Sequence, residues 1–281
     1  MRLVRYGEAG REKPGILDGQ GAIRDLSSMV GDIDGAALSP ESLAKLRALD
    51  VEGQPKVSGN PRLGPPVGGV GKLVAIGLNY SDHAKEAGQP IPSEPIIFMK
   101  ATSSICGPND NVVLPRDSKK SDWEVELAFV MGRTAKYVPE ADALGYVAGY
   151  LICNDVSERQ WQLERGPTWD KGKGFDTFAP LGPWVVTADE IRDPQNLAMW
   201  LDVNGKRMQT GNTKTMIFSV AKLVSYISQC MTLKPGDIVT TGTPPGVGLG
   251  IKPSPVFLKA GDLMRLGIDG LGEQRQQVSA S

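Results

Sequence analysis

Along Ser121–Val130, Trp123, Val125, Leu127 and Phe129 alternate with Glu124, Glu126 and Ala128, the period of two that a strand with one buried face requires. Two carboxylates therefore share one face, roughly 6.5 Å apart at Cα. An ordinary half-solvated strand accounts for the alternation. A hard divalent cation accounts for the crowding of two anions, because Mg²⁺ and Mn²⁺ take oxygen ligands and keep positions open for water or substrate. On the strand alone both readings stand.

The same patterning outlines the rest of the chain. LVRYG and GAIRDLS read as short strands either side of the Asp18-Gly19 turn. Ser39 as N-cap and Pro40 at the first helical position open a helix through LAKLRAL. A Pro- and Gly-rich stretch over 53–71 marks a boundary. It divides a small N-terminal domain with its linker, 1–68, from a main domain, 69–281. KLVAIGLN, PIIFM, Val112–Leu114 and YVAGYLICN read as strands, and the last stops at Asn154-Asp155. A carboxylate at the end of a buried strand is placed where active-site groups are often carried.

Further on, LDVNGKRM predicts a hairpin with Asn204-Gly205 at its tip. Ile217, Val220, Ala221, Val224, Ile227 and Met231 form one apolar stripe, predicting an amphipathic helix over 215–231. Lys234-Pro-Gly-Asp237 and Lys259-Ala-Gly-Asp262 read as turns into strands. The fold class expected is α+β, mostly β.

Composition narrows the partners. The 281 residues hold 31 Lys plus Arg against 32 Asp plus Glu, and no basic block, so neither nucleic acid nor an anionic membrane is an expected partner. The N-terminus lacks a signal-like apolar run and no stretch reaches membrane-spanning length, which gives a cytoplasmic expectation. Cys106, Cys153 and Cys230 are widely spaced and read as reduced core residues. His83 is the single histidine.

Four stretches carry candidate chemistry. In a helical turn capped by Ser81 or Asp82 and ended by Gly88, His83 and Glu86 are three apart and face the same way. A carboxylate beside an imidazole fixes its tautomer and raises its basicity, although such a turn is also a common solvated one. Arg159 and Gln162 follow Asp155 at helical spacing, where surface positions are usual. Asp170-Lys-Gly-Lys-Gly-Phe-Asp176 is a glycine-spaced basic loop, open to substrate or simply flexible. The Pro/Gly loop Thr240–Gly248 offers hydroxyls and backbone N–H groups that suit a carboxylate, and it lacks a dinucleotide fingerprint.

In order, His83-x-x-Glu86, Glu124-x-Glu126, Asn154-Asp155-Val-Ser-Glu-Arg159, Lys173-Gly-Phe-Asp176-Thr and Thr241-Gly242-Thr243-Pro244 resemble the fumarylacetoacetate hydrolase family from about residue 70 to 270. The resemblance implies a mixed β-roll core, usually a homodimer, and a Mg²⁺ or Mn²⁺ held by Glu124, Glu126 and Asp155. It implies that His83 and Glu86 activate water and that Lys173 contacts substrate and a developing enolate. Gln162 and Thr243 correspond to substrate-binding positions and Arg159 to a site-lining one.

The implied substrate is a small 2-oxo acid, cleaved as a 2,4-dioxo acid at C3–C4 by a hydrolase acting on carbon–carbon bonds. The motifs WEVELAFVMG, NDVSERQWQLERG and TGTPPGVGLG look most like hydrolases of 2,4-diketo-3-deoxy-L-rhamnonate or L-fuconate in sugar-acid catabolism, which give pyruvate and lactate. Ureidoglycolate lyase, oxaloacetate decarboxylase and dienoate isomerase activities are the alternatives within the resemblance. A non-catalytic metal-stabilised scaffold is the alternative outside it.

Overall fold

The period-two segments pair into two main sheets in a computed structural model that describes residues 1–166 and 168–281. In spatial order the larger sheet runs Ile23–Asp25, Lys13–Leu17, Arg2–Tyr6, Ala179–Thr187, Val147–Asn154, Val125–Met131, Ile238–Thr240, Leu73–Gly77, Ile96–Lys100. Ile105–Cys106 joins it beside Ala179–Thr187. The smaller sheet runs Lys206–Asn212, Ala198–Val203, Leu263–Ile268, Gly272–Ala280, Val112–Leu114. With short helices between strands, the fold is α+β and mostly β, as expected. Among the described residues no helix is long and apolar enough to cross a membrane.

The alternation at 121–130 is real, but neither face meets solvent. Val125, Leu127 and Phe129 pack with Met199, Leu201, Met264 and Leu266 of the smaller sheet. Ala128 and Val130 pack on the other face against Leu3, Ile16, Leu26 and Leu38. The half-solvated expectation fails because the N-terminal segment covers that face. It does so with Ile33, Leu38, Leu43 and Leu46, and is held there by continuing the sheet, with Arg2 opposite Val186 and Leu3 opposite Val185, and by ion pairs such as Arg62 to Asp110 at 2.6 Å.

Glu124 and Glu126 keep the parity of Ala128 and Val130 but border a cavity instead of that cover. Burying Trp123, Val125, Leu127 and Phe129, at about 1.5–3 kcal/mol each, is on the scale of the several kcal/mol needed to keep two carboxylates out of water.

Local chemistry decides most element ends. The Ser39 hydroxyl accepts from Ser42 N at 3.3 Å and opens Pro40–Arg47. Asn204 and Gly205 both have positive φ, 52° and 77°, the requirement of a two-residue type I′ turn. In both Lys-x-Gly-Asp turns the aspartate accepts from the lysine N–H, Asp237 at 2.7 Å and Asp262 at 2.9 Å.

Five expectations need correction. LVRYG and GAIRDLS do not meet across the Asp18-Gly19 turn: Lys13–Leu17, a strand despite Pro14 and Gly15, lies between them and pairs antiparallel with both. Ser81–Glu86 begins after Tyr80 with no side-chain cap, and Asp82 accepts instead from His83 N at 3.0 Å. The later helix is shorter than 215–231: it spans Val220–Cys230, because Ser219 caps Lys222 N. The glycine-spaced basic loop coils into a short helix, Asp170–Lys173, that buries Lys173. Cys153 is a core residue, but Cys106 is partly exposed and Cys230 exposed.

Candidate active site

Register builds the carboxylate group. Val125 pairs with Asn154 and Glu126 with Cys153, so Glu124 and Asp155 stand opposite each other where the two strands end. The Asp155 N–H donates to Glu124 O at 2.9 Å, and Asn154 Oδ1 accepts from Glu124 N at 3.2 Å. Next door, Thr240 donates its hydroxyl to Glu126, and Gly242 N donates to the same oxygen at 2.9 Å. Gly242 has φ +92°, and a Cβ there would lie 2.9 Å from Asn79 Cβ; glycine lets this loop reach the carboxylate. One oxygen from each of Glu124, Glu126 and Asp155 lies within 4.8 Å of the others.

Three buried cations surround the group. Lys173 Nζ is 2.7 Å from both Glu124 and Asp155. Arg159 reaches Glu124 at 2.6 Å and Asp122 at 2.8 Å, and donates to Gln162 at 2.9 Å. The surface positions expected for Arg159 and Gln162 are therefore buried, because their helix turns inward onto Asp122. Lys100 Nζ lies 2.6 Å from Asp155 Oδ1, while its hydrogen bonds go to the carbonyls of Val156 and Lys173.

The electrostatics follow from this packing. Burial alone would raise the Glu124 carboxyl, but Lys173 and Arg159 outweigh it and hold it at about 2. Burial, then Asp155 and Glu124, push the Glu126 carboxyl well above its ordinary range. Burial would lower the Lys173 ammonium, but Asp155 and Glu124 raise it, so it stays charged.

Above the carboxylates, His83 Nδ1 is 3.1 Å from Glu86 Oε2. Glu86 is fixed in turn by Gly246 N at 3.0 Å, and Gly248 N and Leu249 N donate to Asp122 at 2.7 and 3.0 Å. The loop N–H groups that suit a carboxylate thus bind carboxylates of this chain: Glu126, Glu86 and Asp122. The Thr243 hydroxyl donates to Val125 O and accepts from Gln209, both at 2.9 Å.

All nine residues singled out in the sequence, His83, Glu86, Glu124, Glu126, Asp155, Arg159, Gln162, Lys173 and Thr243, line one cavity of about 480 Å³. Asp122 and Lys100 escape sequence reasoning. Asp122 is one residue outside the alternating run, and Lys100 ends an apolar strand; only the fold supplies their partners.

The donor set fits a hard divalent cation. It is all oxygen, and Asp155 Oδ1, buried with Lys100 Nζ 2.6 Å away, accepts no well-aligned hydrogen bond among the described residues. Crowded carboxylates, one pushed well above its ordinary range, are what a cation between them relieves.

A buried carboxylate triad beneath a cavity carrying a His–Glu pair is the layout of a metal-assisted enzyme. The chain belongs to the fumarylacetoacetate hydrolase family: residues 72–279 match the family model described as fumarylacetoacetate (FAA) hydrolase C-terminal. A Burkholderia ambifaria relative, named as a hydrolase, is 66% identical over 278 residues, 99% of each chain. Maleylpyruvate hydrolase from Sphingobium sp. SYK-6, solved with manganese(II) and pyruvate, is 31% identical with a TM-score of 0.82 and coverage of 100% of both chains. The 2-hydroxyhepta-2,4-diene-1,7-dioate isomerase of Mycobacterium marinum is 34% identical, TM-score 0.74, covering 100% of this chain and 99% of its own.

Proposed function

We propose that the chain hydrolyses the C3–C4 bond of a 2,4-dioxo acid, releasing pyruvate and a second carboxylic acid. The observation that carries this reading is the His83–Glu86 pair, the charged Lys173 and the Glu124–Glu126–Asp155 group lining one cavity. Those three carboxylates would hold Mg²⁺ or Mn²⁺, which when bound supplies Lewis-acid polarisation and a template for the 2-oxo acid end. The Sphingobium relative, solved in complex with manganese(II) and pyruvate, supports that head group.

The remaining steps fall to side chains. With Nδ1–H donating to Glu86, His83 keeps its Nε2 lone pair for a proton of water. Water adds to C4, the C3–C4 bond breaks, and its electron pair is left on the pyruvate enolate. Lys173 places its ammonium where that charge develops. Arg159 and Gln162, already bonded to each other, bind and orient the acid together with Thr243. Proton return to C3 completes pyruvate.

The motif resemblance favours 2,4-diketo-3-deoxy-L-rhamnonate or L-fuconate as the substrate, giving pyruvate and lactate. Division into 1–68 and 69–281, a homodimer and a cytoplasmic location belong to the same reading. The M. marinum relative favours a second reading, isomerisation of a dienoic acid, which needs the head-group site but no water.

A product assay separates them. With Mn²⁺ present, pyruvate is expected from 2,4-dioxo acids; a chelator should abolish it and Mg²⁺ or Mn²⁺ restore it. Faster turnover of ureidoglycolate, oxaloacetate or a dienoate than of every 2,4-dioxo acid tested would defeat the reading.

A further inference from the structure

We propose that the outer half of this cavity is a subsite for a hydrocarbon tail, so that the preferred substrates carry an alkyl or aryl acyl group rather than a carboxylated or polyhydroxylated one. The inference rests on the reading above in one respect: the 2-oxo acid end is taken to meet the carboxylate group.

The strand Ile96–Lys100 lays out the path. Lys100, Phe98 and Ile96 share one face by the period of two, in steps of roughly 6.5 Å. Lys100 is buried beside Asp155, Phe98 is 7% exposed and Ile96 37% exposed. Lys173 Nζ stands 5.4 Å from the Phe98 ring centre, so apolar wall begins where the charged groups end. Trp169 packs edge-on against Phe98 at 5.4 Å and occupies the space over Gly77, where an added Cβ would meet its ring at 2.2 Å.

Two further segments add apolar lining. Leu163 is 49% exposed and Leu249 36% exposed, and both line the cavity with Ile96. Three of the eight exposed large apolar side chains among the described residues thus converge on one opening from three separate segments. Scattered exposed leucines are ordinary, but a converging set at a cavity mouth marks a binding surface.

Charge points the same way. Arg159 and Lys173 are bonded to carboxylates, and His83 to Glu86. Lys252, the remaining cation of the lining, is exposed. A second carboxylate at the outer end of the substrate would lose water against Phe98, Trp169 and Ile96, and among the described lining residues the buried cations Arg159 and Lys173 stand at the carboxylate end instead. A methylene there gains roughly fourfold in affinity. The methyl-ended, singly hydroxylated tail of the rhamnonate substrate falls between these classes.

The test measures binding by titration calorimetry on the Mn²⁺-supplemented protein, using 2-oxo acids that lack the 4-oxo group and are not cleaved. 2-Oxooctanoate is expected to bind at least tenfold tighter than the 2-oxo dicarboxylic acid of the same length. Ile96→Lys is expected to shrink that ratio below threefold, and Leu163→Ser, a milder change, to shrink it in the same direction. Equal or tighter binding of the dicarboxylate, a ratio unmoved by both variants, or no binding of either acid would overturn the proposal. If the preference holds while the matching 2,4-dioxo acids are not cleaved, the subsite stands and the hydrolase reading falls.

Discussion

Lys173→Met is expected to lower kcat/KM for a 2,4-dioxo acid by about 10²–10³-fold, the cost of removing one preorganised group from a developing oxyanion. Its ammonium touches Glu124 and Asp155 at 2.7 Å each, out of solvent. Removing one partner from a buried pair costs about 3–5 kcal/mol, because the charges left behind lose their compensation. A divalent cation compensates the same charges. Mn²⁺ should therefore raise the melting temperature of Lys173→Met by more than it raises that of the unaltered protein. Differential scanning fluorimetry with and without a chelator checks this, alongside steady-state rates. Equal Mn²⁺ shifts in both proteins, with a rate within threefold of the original, would remove Lys173 from the reaction.

His83→Ala should cost about 10²–10⁴-fold in kcat, the range for a positioned general base. Because the chain has one histidine, the pH profile adds a readout that simple loss of rate does not give. The base works unprotonated, so an acidic limb that depends on it should be missing from the residual activity of the variant. Glu86→Gln keeps the shape at Gly246 N but weakens the hold on Nδ1, and a smaller loss is expected. An acidic limb unchanged in His83→Ala would assign the base to another group.

Legibility of the fold followed the range of the interactions. The Asn204-Gly205 hairpin, the Ser39 cap and the two Lys-x-Gly-Asp turns are decided within four residues, and the sequence states them openly. The Glu124-x-Glu126 alternation was equally local, but its environment was not. Which face is covered depends on Ile33, Leu38, Leu43 and Leu46 packing onto it from a segment anchored beside Ala179–Thr187, a contact no periodicity announces.

The same division runs through the site. Glu124 and Glu126 follow from spacing. Asp155 as their neighbour follows from the register of two strands, and Lys100 and Asp122 from partners 55 and 37 positions away in the chain. The loop Thr240–Gly248 misled in an instructive manner. Its N–H groups do attract carboxylates, but those of Glu126, Glu86 and Asp122 take them, so the loop holds the site together. Arg159 and Gln162 looked like surface residues for want of Asp122.

The central claim is that water, activated beside His83, adds to C4 and cleaves the C3–C4 bond. Turnover of a 2,4-dioxo acid in H₂¹⁸O with Mn²⁺ tests it most directly, read by mass spectrometry of the non-pyruvate acid. The account predicts one ¹⁸O in the carboxylate of that acid, with pyruvate formed in equal amount. An isomerised or decarboxylated product of unchanged carbon connectivity at C3–C4, or cleavage without ¹⁸O in that carboxylate, would contradict it.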